Sequence, residues 1–300
     1  MTTVTICIAT YKRPASLGKL LDSLVTQSDA PPFEVVVVDN DHEQSAKPVV
    51  DAARDGLHVR YLVEPRRGLA KVRNRAVAAS SATFLAFIDD DEWATPKWLA
   101  SLFRVAEDTT ADAVIGPVRI VFGPDTPAYI QHCRLFAEST LPDAAIVPWY
   151  ATRTSNALVR RQSLPDLEAP FAAEYDFSGG EDVDLFRRMI DAGADVRASS
   201  GALVFEHRPG RRANLWWVLR RSIRNGATIA DIEWRHFSRG VKLNKALASM
   251  LRAPIQILRA ATVWRRDRIA GLHHLIDAAE GLGQLAHVLG LTIEEYRKPA

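Results

Sequence analysis

The chain has 300 residues, of which 47% are hydrophobic and 25% charged, a composition that fits a folded globular enzyme and excludes an intrinsically disordered chain. Two cysteines cannot form a disulfide framework, and the chain starts without a secretion signal, so we expect a protein of the reducing cytoplasm. The net charge of +2 conceals an asymmetry, because residues 207–268 carry 15 Lys and Arg against 3 Asp and Glu, leaving about +12 there and about −10 elsewhere.

The first part of the chain alternates strand-like and helix-like patterns. Near-continuous apolar runs predict strands at 4–10, 33–40, 59–63 and 83–88, and apolar residues at helical spacing predict helices at 14–26, 44–54 and 68–79. This alternation is typical of βαβ units with right-handed crossovers. We therefore predict an α/β fold with a doubly wound, mostly parallel sheet in the first 120 residues.

Three consecutive aspartates, Asp89, Asp90 and Asp91, end the fourth predicted strand. If that strand is buried, their carboxylates lie at the carboxyl end of the sheet, where open α/β folds bind ligands. Because three adjacent negative charges repel one another, a cation would be favoured there. An acidic turn that only caps the next helix is the structural alternative.

The pattern loosens after this region. We predict strands at 113–122, 155–159 and 202–206, and helices at 129–138 and 181–192. Two basic, apolar helical stretches follow at 213–234 and 243–264. The second one contains Lys245, Arg252, Pro254 and Arg259, too many interruptions for a membrane-spanning helix, although it could lie on a membrane surface.

Several motifs, in this order along the chain, resemble those of family 2 glycosyltransferases with a GT-A fold, most closely the bacterial branch that builds exopolysaccharide repeat units. The resemblance covers about residues 3 to 230. The motifs are Ile8-Ala-Thr-Tyr-Lys-Arg-Pro, Val36-Val-Val-Asp-Asn, Gly68-Leu-Ala-Lys-Val-Arg-Asn, Phe87-Ile-Asp-Asp-Asp-Glu, Ser178-Gly-Gly-Glu-Asp and Glu206-His-Arg-Pro.

The resemblance implies a nucleoside diphosphate sugar donor and a divalent cation, Mn²⁺ or Mg²⁺, held by carboxylates against the departing diphosphate. It makes Asp91 the first choice of metal ligand, with Asp89 and His207 completing the site. The implied donor-binding residues follow the predicted strands or open the third helix: Thr10, Tyr11, Arg13, Asp39, Arg73, Asn74, Asp89 and Asp90.

The Glu181-Asp182 pair opens an amphipathic helix after two glycines. In the family the Asp of this pair is the general base, which implies that Asp182 accepts the acceptor proton in one inverting displacement, with Glu181 beside it. Helix-dipole stabilisation would by itself explain one of the two acids, and Asp184 is predicted to be a surface charge. Arg208 and Arg211 would lie on a basic loop that closes over the diphosphate, or on a solvated surface.

The resemblance also divides the chain. We predict a catalytic domain at 1–210, with a nucleotide-sugar-binding half at 1–120 and an acceptor-binding half at 121–210, and a helical, basic region at 211–300. Trp216, Trp217 and Arg220 stand where processive relatives carry Gln-x-x-Arg-Trp, which this chain lacks, so we expect addition of a single sugar.

The identities of the ligands stay open at this point. UDP is the expected nucleotide, with GDP and dTDP as alternatives, and the acceptor is expected to be a glycan or glycolipid. The basic third could contact the inner face of the plasma membrane, the acceptor or another subunit; no nucleic-acid-binding module is visible. A sugar-phosphate nucleotidyltransferase and a non-catalytic nucleotide-sugar-binding protein are the two rival functions.

Overall fold

The computed structural model describes residues 3–53 and 55–291. Arg54, at the end of one predicted helix, and residues 1, 2 and 292–300, at the ends of the predicted domains, lie outside the described residues. By their contacts, the described residues group into two compact units. The first comprises residues up to Arg119 and Glu138–Glu206, and the second comprises Ile120–Ala137 and the residues from His207 onward. Two of the three boundaries fall inside strands, and the third falls between Ala137 and Glu138, outside any strand or helix.

The first unit is built on a seven-stranded sheet. The strands and helices up to Arg208, including those of a smaller sheet, follow in chain order. They are β1 Val4–Thr10, α1 Pro14–Val25, β2 Phe33–Asp39, α2 Lys47–Ala53, β3 Val59–Val63, α3 Leu69–Ala78, β4 Phe84–Phe87, β5 Glu92–Ala94, α4 Trp98–Thr109, β6 Ala113–Ile115, β7 Val118–Phe122, α5 Ala128–Gln131, β8 Ala157–Arg160, α6 Glu181–Asp191, β9 Val196–Ala198 and β10 Val204–Arg208. The element α5 and the ends of β7 and β10 belong to the second unit.

The order of the large sheet is β3-β2-β1-β4-β8-β6-β9. Strands β3, β2, β1 and β4 are parallel, and β8 is antiparallel to both of its neighbours. The chain builds outward from β1 in one direction through β2 and β3, and then returns to place β4 on the other side of β1. The carboxyl ends of β1 and β4 therefore form a topological switch point, where ligands bind in such sheets.

Both faces of this sheet are buried, as the Val run of β2 and the apolar β4 require. On one face, α3 and α6 pack Val72, Val77, Phe186 and Met189 into the same core as Val36 and Leu85. The predicted doubly wound, mostly parallel sheet is thus confirmed. A separate three-stranded sheet has the order β5-β10-β7.

The second unit contains three long helices, α7 Leu215–Glu233, α8 Arg239–Val263 and α9 Arg268–Val288, which confirm the predicted helical C-terminal region. Asn214 and Asp267 begin α7 and α9 by accepting hydrogen bonds from backbone N–H groups of the first turn. Val218, Leu272 and Ile276 form a core with Ile130 and Phe136. No helix of the described chain is long and apolar enough to cross a membrane.

Two predicted elements are different in the structure. The single strand predicted at 113–122 is split into β6 and β7, which belong to different sheets, because Gly116 and Pro117 interrupt it and Pro117 has no N–H to donate. The helix predicted at 129–138 is only the short α5, followed by a 3₁₀ turn at Arg134–Phe136.

Candidate active site

The switch point brings together the residues that follow β1 and β4. In the parallel register Thr10 pairs with Asp39 on one side of β1, and Cys7 pairs with Phe87 on the other. Thr10 and Arg13 therefore lie beside Asp89, Asp90 and Asp91, although about 80 residues separate the two segments. The edge of the sheet, and not proximity in sequence, assembles these groups.

Asp90 joins the two segments. Its Oδ2 accepts a hydrogen bond from Thr10 Oγ1 at 2.8 Å, and its Oδ1 accepts one from Arg13 NH1 at 2.9 Å. Burial raises the pKa of Asp90 to about 6, against the opposing charge of Arg13. Both carboxylate oxygens accept hydrogen bonds from protein side chains, so Asp90 positions the segments that follow β1 and β4. Contact of Asp90 with a nucleotide stays a prediction.

Asp89 and Asp91 are the more accessible carboxylates of the three. Asp91 Oδ2 accepts from Arg13 NH1 at 2.8 Å, and Asp89 Oδ1 accepts from Arg73 NH2 at 3.1 Å. Desolvation, together with the charges of Asp91 and Asp182, raises the pKa of Asp89 against the opposing effect of Arg73. The negative charges of Asp91 and Asp182 therefore both act on the carboxylate of Asp89.

This donor set fits a hard divalent ion. Carboxylate oxygens are the ligands that Mg²⁺ and Mn²⁺ prefer, and a cation would relieve the repulsion that raises the pKa of Asp89. Within residues 3–53 and 55–291, no group of three or more His, Cys, Asp and Glu side chains is arranged to hold a metal. Asp89 and Asp91 would therefore bind such an ion together with oxygens from outside the chain, as Mg²⁺ does at phosphates.

Arg73 lies between two acids. It is buried on α3, and its guanidinium contacts Glu181 Oε1 with NH1 while NH2 donates to Asp89. Glu181 is 2% exposed, and its Oε2 has no hydrogen-bond partner in the structure. Burial raises the pKa of Glu181 to about 7, with Arg73 opposing and Asp182 and Asp89 adding to the rise. The predicted donor-binding role of Arg73 and the catalytic role of Glu181 stay predictions.

Asp182 lies in the first turn of α6, half-exposed, with its Oδ1 accepting from the N–H of Val183 at 2.8 Å. Gly179 and Gly180, which precede it, have φ angles of 75° and 106°, a region that favours glycine, so the turn explains the glycine pair. The prediction for Asp184 is wrong. Its side chain is buried and its Oδ2 accepts from Arg188 Nε at 2.8 Å, because the helix turns this position toward the core.

The remaining predicted donor-binding residues differ in their burial and in the contacts of their side chains. Asp39 is fully buried, and its oxygens accept hydrogen bonds from the backbone of Asp41 and Ala46 and from the Tyr61 hydroxyl. The Tyr11 ring lies 3.8 Å from the guanidinium carbon of Arg67.

The carboxamide of Asn74 makes two hydrogen bonds, of 2.8 and 2.9 Å, to the backbone of Phe171. Asn74 therefore fastens a loop to α3, while the ring of Tyr11 is the better placed of the two for contact with a ligand.

Two residues of this region, Asp176 and Arg153, had no clear signal in the sequence, and a third, Glu92, ends the Phe87-Ile-Asp-Asp-Asp-Glu motif without a predicted role. Asp176 is buried against the first turn of α3, where its carboxylate contacts Lys71. It also lies next to Gly68, whose φ is 145°. Glu92 is buried, and its Oε2 accepts from the Asp89 N–H at 2.9 Å. The charge of Arg153 interacts with Glu92, Asp182 and Glu206, and its Nε is buried without a hydrogen-bond partner. Only the fold brings Asp176 and Arg153 into this region.

The other predicted residues belong to the second unit. His207 is an exposed residue of β10, and Arg211 is exposed in the 3₁₀ turn Gly210–Arg212. The Arg208 guanidinium lies 5.5 Å from the Phe136 ring and 5.4 Å from the Trp217 ring. Their roles as a metal ligand and as diphosphate-binding residues stay predictions.

Comparison with known proteins identifies relatives of this chain. The family model described as "Glycosyl transferase family 2" matches residues 5–172, more than half of the chain. The succinoglycan biosynthesis protein ExoM of Rhizobium meliloti (strain 1021) is 35% identical over 303 residues, which cover 98% of this chain and 95% of ExoM. Validoxylamine A glucosyltransferase of Streptomyces hygroscopicus subsp. limoneus is 32% identical, over 79% of this chain and 60% of that protein.

Solved structures share the fold at lower identity. S. aureus TarS 1-349 in complex with UDP-GlcNAc superposes with a TM-score of 0.58 at 17% identity, over 97% of this chain and 93% of that one. The mannosyltransferase PcManGT of Pyrobaculum calidifontis, in complex with GDP-Man and Mn²⁺, gives 0.58 at 19%, over 92% and 85%. The predicted GT-A fold and the family resemblance are both confirmed.

Proposed function

This chain belongs to glycosyltransferase family 2 and is a glycosyltransferase, and we propose that it moves one sugar from a nucleoside diphosphate sugar to an acceptor hydroxyl. The transfer would invert the configuration of the anomeric carbon and would use a divalent cation. The single observation that carries this proposal is the cluster of three carboxylates that follows β4 at the switch point of the sheet, where Arg13 and Arg73 hold them. Family membership decides against both rival functions, the nucleotidyltransferase and the non-catalytic binding protein.

The donor diphosphate is proposed to bind at Asp89 and Asp91. A divalent cation held there would supply charge stabilisation for the diphosphate as it leaves. Arg13 holds Asp90 and Asp91 from the β1 side, and Arg73 holds Asp89 from α3, so each carboxylate has a fixed orientation before the donor arrives. Such fixed groups stabilise a developing charge without reorganising during the reaction.

Asp182 is proposed to be the general base. It is half-exposed at the start of α6, so an acceptor hydroxyl can reach its carboxylate, whereas Glu181 beside it is buried against Arg73. As the hydroxyl oxygen attacks the anomeric carbon, Asp182 takes the hydroxyl proton, and the bond to the diphosphate breaks on the opposite face.

We propose a UDP-sugar as donor, supported by the TarS structure with UDP-GlcNAc, while the PcManGT structure with GDP-Man keeps GDP open. The likeness to ExoM over almost the full length of both chains supports an acceptor in exopolysaccharide synthesis, and we propose a lipid-linked glycan. Residues 1–120 would hold the donor, and residues 121–210 the acceptor.

A panel of nucleoside diphosphates tests the donor site. We expect UDP to raise the thermal unfolding midpoint in the presence of Mn²⁺ or Mg²⁺, and EDTA to abolish the rise, because the diphosphate and carboxylates need a shared cation. Asp91→Asn should weaken metal-dependent UDP binding at least ten-fold. Asp22→Asn, on the exposed face of α1, is the matched control and should bind as the wild type does. Undiminished binding by Asp91→Asn would contradict the metal site.

A further inference from the structure

Helix α8 leaves most of its surface uncovered. It has 25 residues, and its buried positions are the small residues Ala246, Ala253 and Ala260, spaced seven apart. These alanines form the seam on which α9 packs, as the close approach of Gly281 of α9 to Ser249 shows. A helix that contacts its neighbour through one row of small side chains presents the rest of its circumference outward.

The uncovered side of α8 is apolar. Large hydrophobic side chains recur there at intervals of three, four or seven residues, which places them on one side of the helix, from beside the alanine seam to the position opposite it. Leu251 is 68% exposed and Leu258 is 65% exposed. The other members of this apolar face, between 41% and 52% exposed, are Leu243, Leu247, Met250, Ile255 and Ile257.

The same helix is purely basic. It contains no Asp or Glu, and its charged residues are Arg239, Lys242, Lys245, Arg252 and Arg259. At the helical angle of 100° per residue, Arg252 and Arg259 flank the apolar face, between it and the alanine seam. Lys245 pairs with Glu233 of α7 at 3.8 Å, whereas Arg252 and Arg259 border the exposed apolar face. An apolar face bordered by arginines complements a surface that is anionic at its boundary and apolar beneath it.

We propose that the apolar face of α8 is a membrane-binding surface, which lies in the interface of an anionic bilayer with Leu251 and Leu258 buried among the acyl chains. The proposal goes beyond the glycosyl transfer and does not depend on it. Burial of seven large side chains supplies the apolar contribution, and the flanking cations add attraction to anionic head groups.

A second copy of this chain is a poorer occupant of the same face. In a two-fold dimer the face would meet itself, so Arg252 and Arg259 of one α8 would approach those of the other without an acid on either helix. Like charges brought together in this way oppose association. Anionic lipid, in contrast, is attracted to every one of these cations.

Vesicle flotation of the full chain tests the proposal. We expect the wild type to float with vesicles rich in phosphatidylglycerol, and to float poorly with pure phosphatidylcholine or at high salt. Leu251→Glu with Leu258→Glu should weaken binding at least ten-fold. Arg252→Gln with Arg259→Gln should weaken it on the order of 30-fold at low salt, about five-fold per lost charge.

The matched control carries the same change in the first unit. Val25→Glu with Ile146→Glu alters side chains that are 50% and 70% exposed, and should float as the wild type does. Thermal unfolding checks that all three variants are folded. The proposal is overturned if the wild type does not bind phosphatidylglycerol vesicles at low salt, or if the Leu251 and Leu258 changes leave binding intact. A dimer measured by light scattering and dissolved by those changes would also overturn it, because a second copy would then cover the face.

Discussion

Arg73 is the residue on which the arrangement of the acids depends most. It comes from the middle of α3, and its two terminal nitrogens reach Glu181 and Asp89, which lie on different elements. Glu181 and Arg73 are both largely withdrawn from water, at 2% and 7% exposure. A buried carboxylate that loses its cation retains the cost of desolvation without compensation. Arg73 therefore stabilises the fold and orients the site at once.

Replacing Arg73 by Met should lower the free energy of unfolding by about 3–5 kcal/mol, because Glu181 would stay buried without a cation. Urea denaturation measures this change. Arg75→Met, on the exposed side of the same helix, should change stability by less than about 0.5 kcal/mol. Adding Glu181→Gln to Arg73→Met should recover part of the loss; strictly additive effects would show that the two side chains do not interact.

At the level of single residues, the sequence predicted which positions gather at the sheet edge better than what each side chain does there. Thr10, Arg13 and the three aspartates were predictable because strand ends in a parallel sheet share one edge. The hydrogen bonds that Asp90 accepts from Thr10 and Arg13 were not predictable, because about 80 residues separate these partners in sequence. The burial of Asp184 was not predicted, because the periodic pattern of a short helix does not show that an acid on it pairs with Arg188.

Among the elements, α7 and α9 approach each other unusually closely. A Cβ atom built on Gly283 would collide with the carbonyl oxygen of Ile223 and lie 2.8 Å from the backbone nitrogen of Ala227. A Cβ on Gly226 would likewise collide with the carbonyl oxygen of Glu280. Small residues at both crossings allow backbone-to-backbone contact that a larger side chain would prevent.

Gly283→Ala should therefore destabilise the protein by about 1–3 kcal/mol through overpacking, even though alanine favours helices. Gly240→Ala in α8 is the matched control, because a Cβ there meets nothing within 4 Å. That change should be neutral or stabilising by up to about 1 kcal/mol. Thermal unfolding of both variants measures the difference, and equal midpoints would contradict the close packing of α7 and α9.

The boundaries of the elements were less predictable than their existence. The run at 113–122 has the composition of one strand, yet Gly116 must approach Asn156 and Ala202 so closely that no Cβ fits. Gly116 and Pro117 mark the break between β6 and β7 in the sequence, but the need for glycine at 116 comes from packing against distant parts of the chain. The long α7 and α8, with their sustained helical pattern, were predicted to within a few residues of their ends.

At the scale of the whole molecule, the charge asymmetry in the sequence follows the two units. The acidic excess lies in the residues that build the sheet and its carboxylate edge, and the basic excess lies between His207 and Arg268, a stretch that contains α7 and α8. The composition of the sequence indicates this division, and its motifs indicate the family. Which side of α8 would be exposed could not be predicted, because it depends on the alanine seam against α9.

We propose that Asp182 removes the acceptor proton while the carboxylates that follow β4 hold the donor. The most direct measurement compares sugar transfer and donor binding in Asp182→Asn. We predict that transfer from the nucleotide sugar falls about 10³-fold, while the affinity for the nucleoside diphosphate with Mn²⁺ stays within about two-fold of the wild type. Asp191→Asn, at the exposed end of the same helix, should retain full activity. Transfer at the wild-type rate by Asp182→Asn would contradict the account.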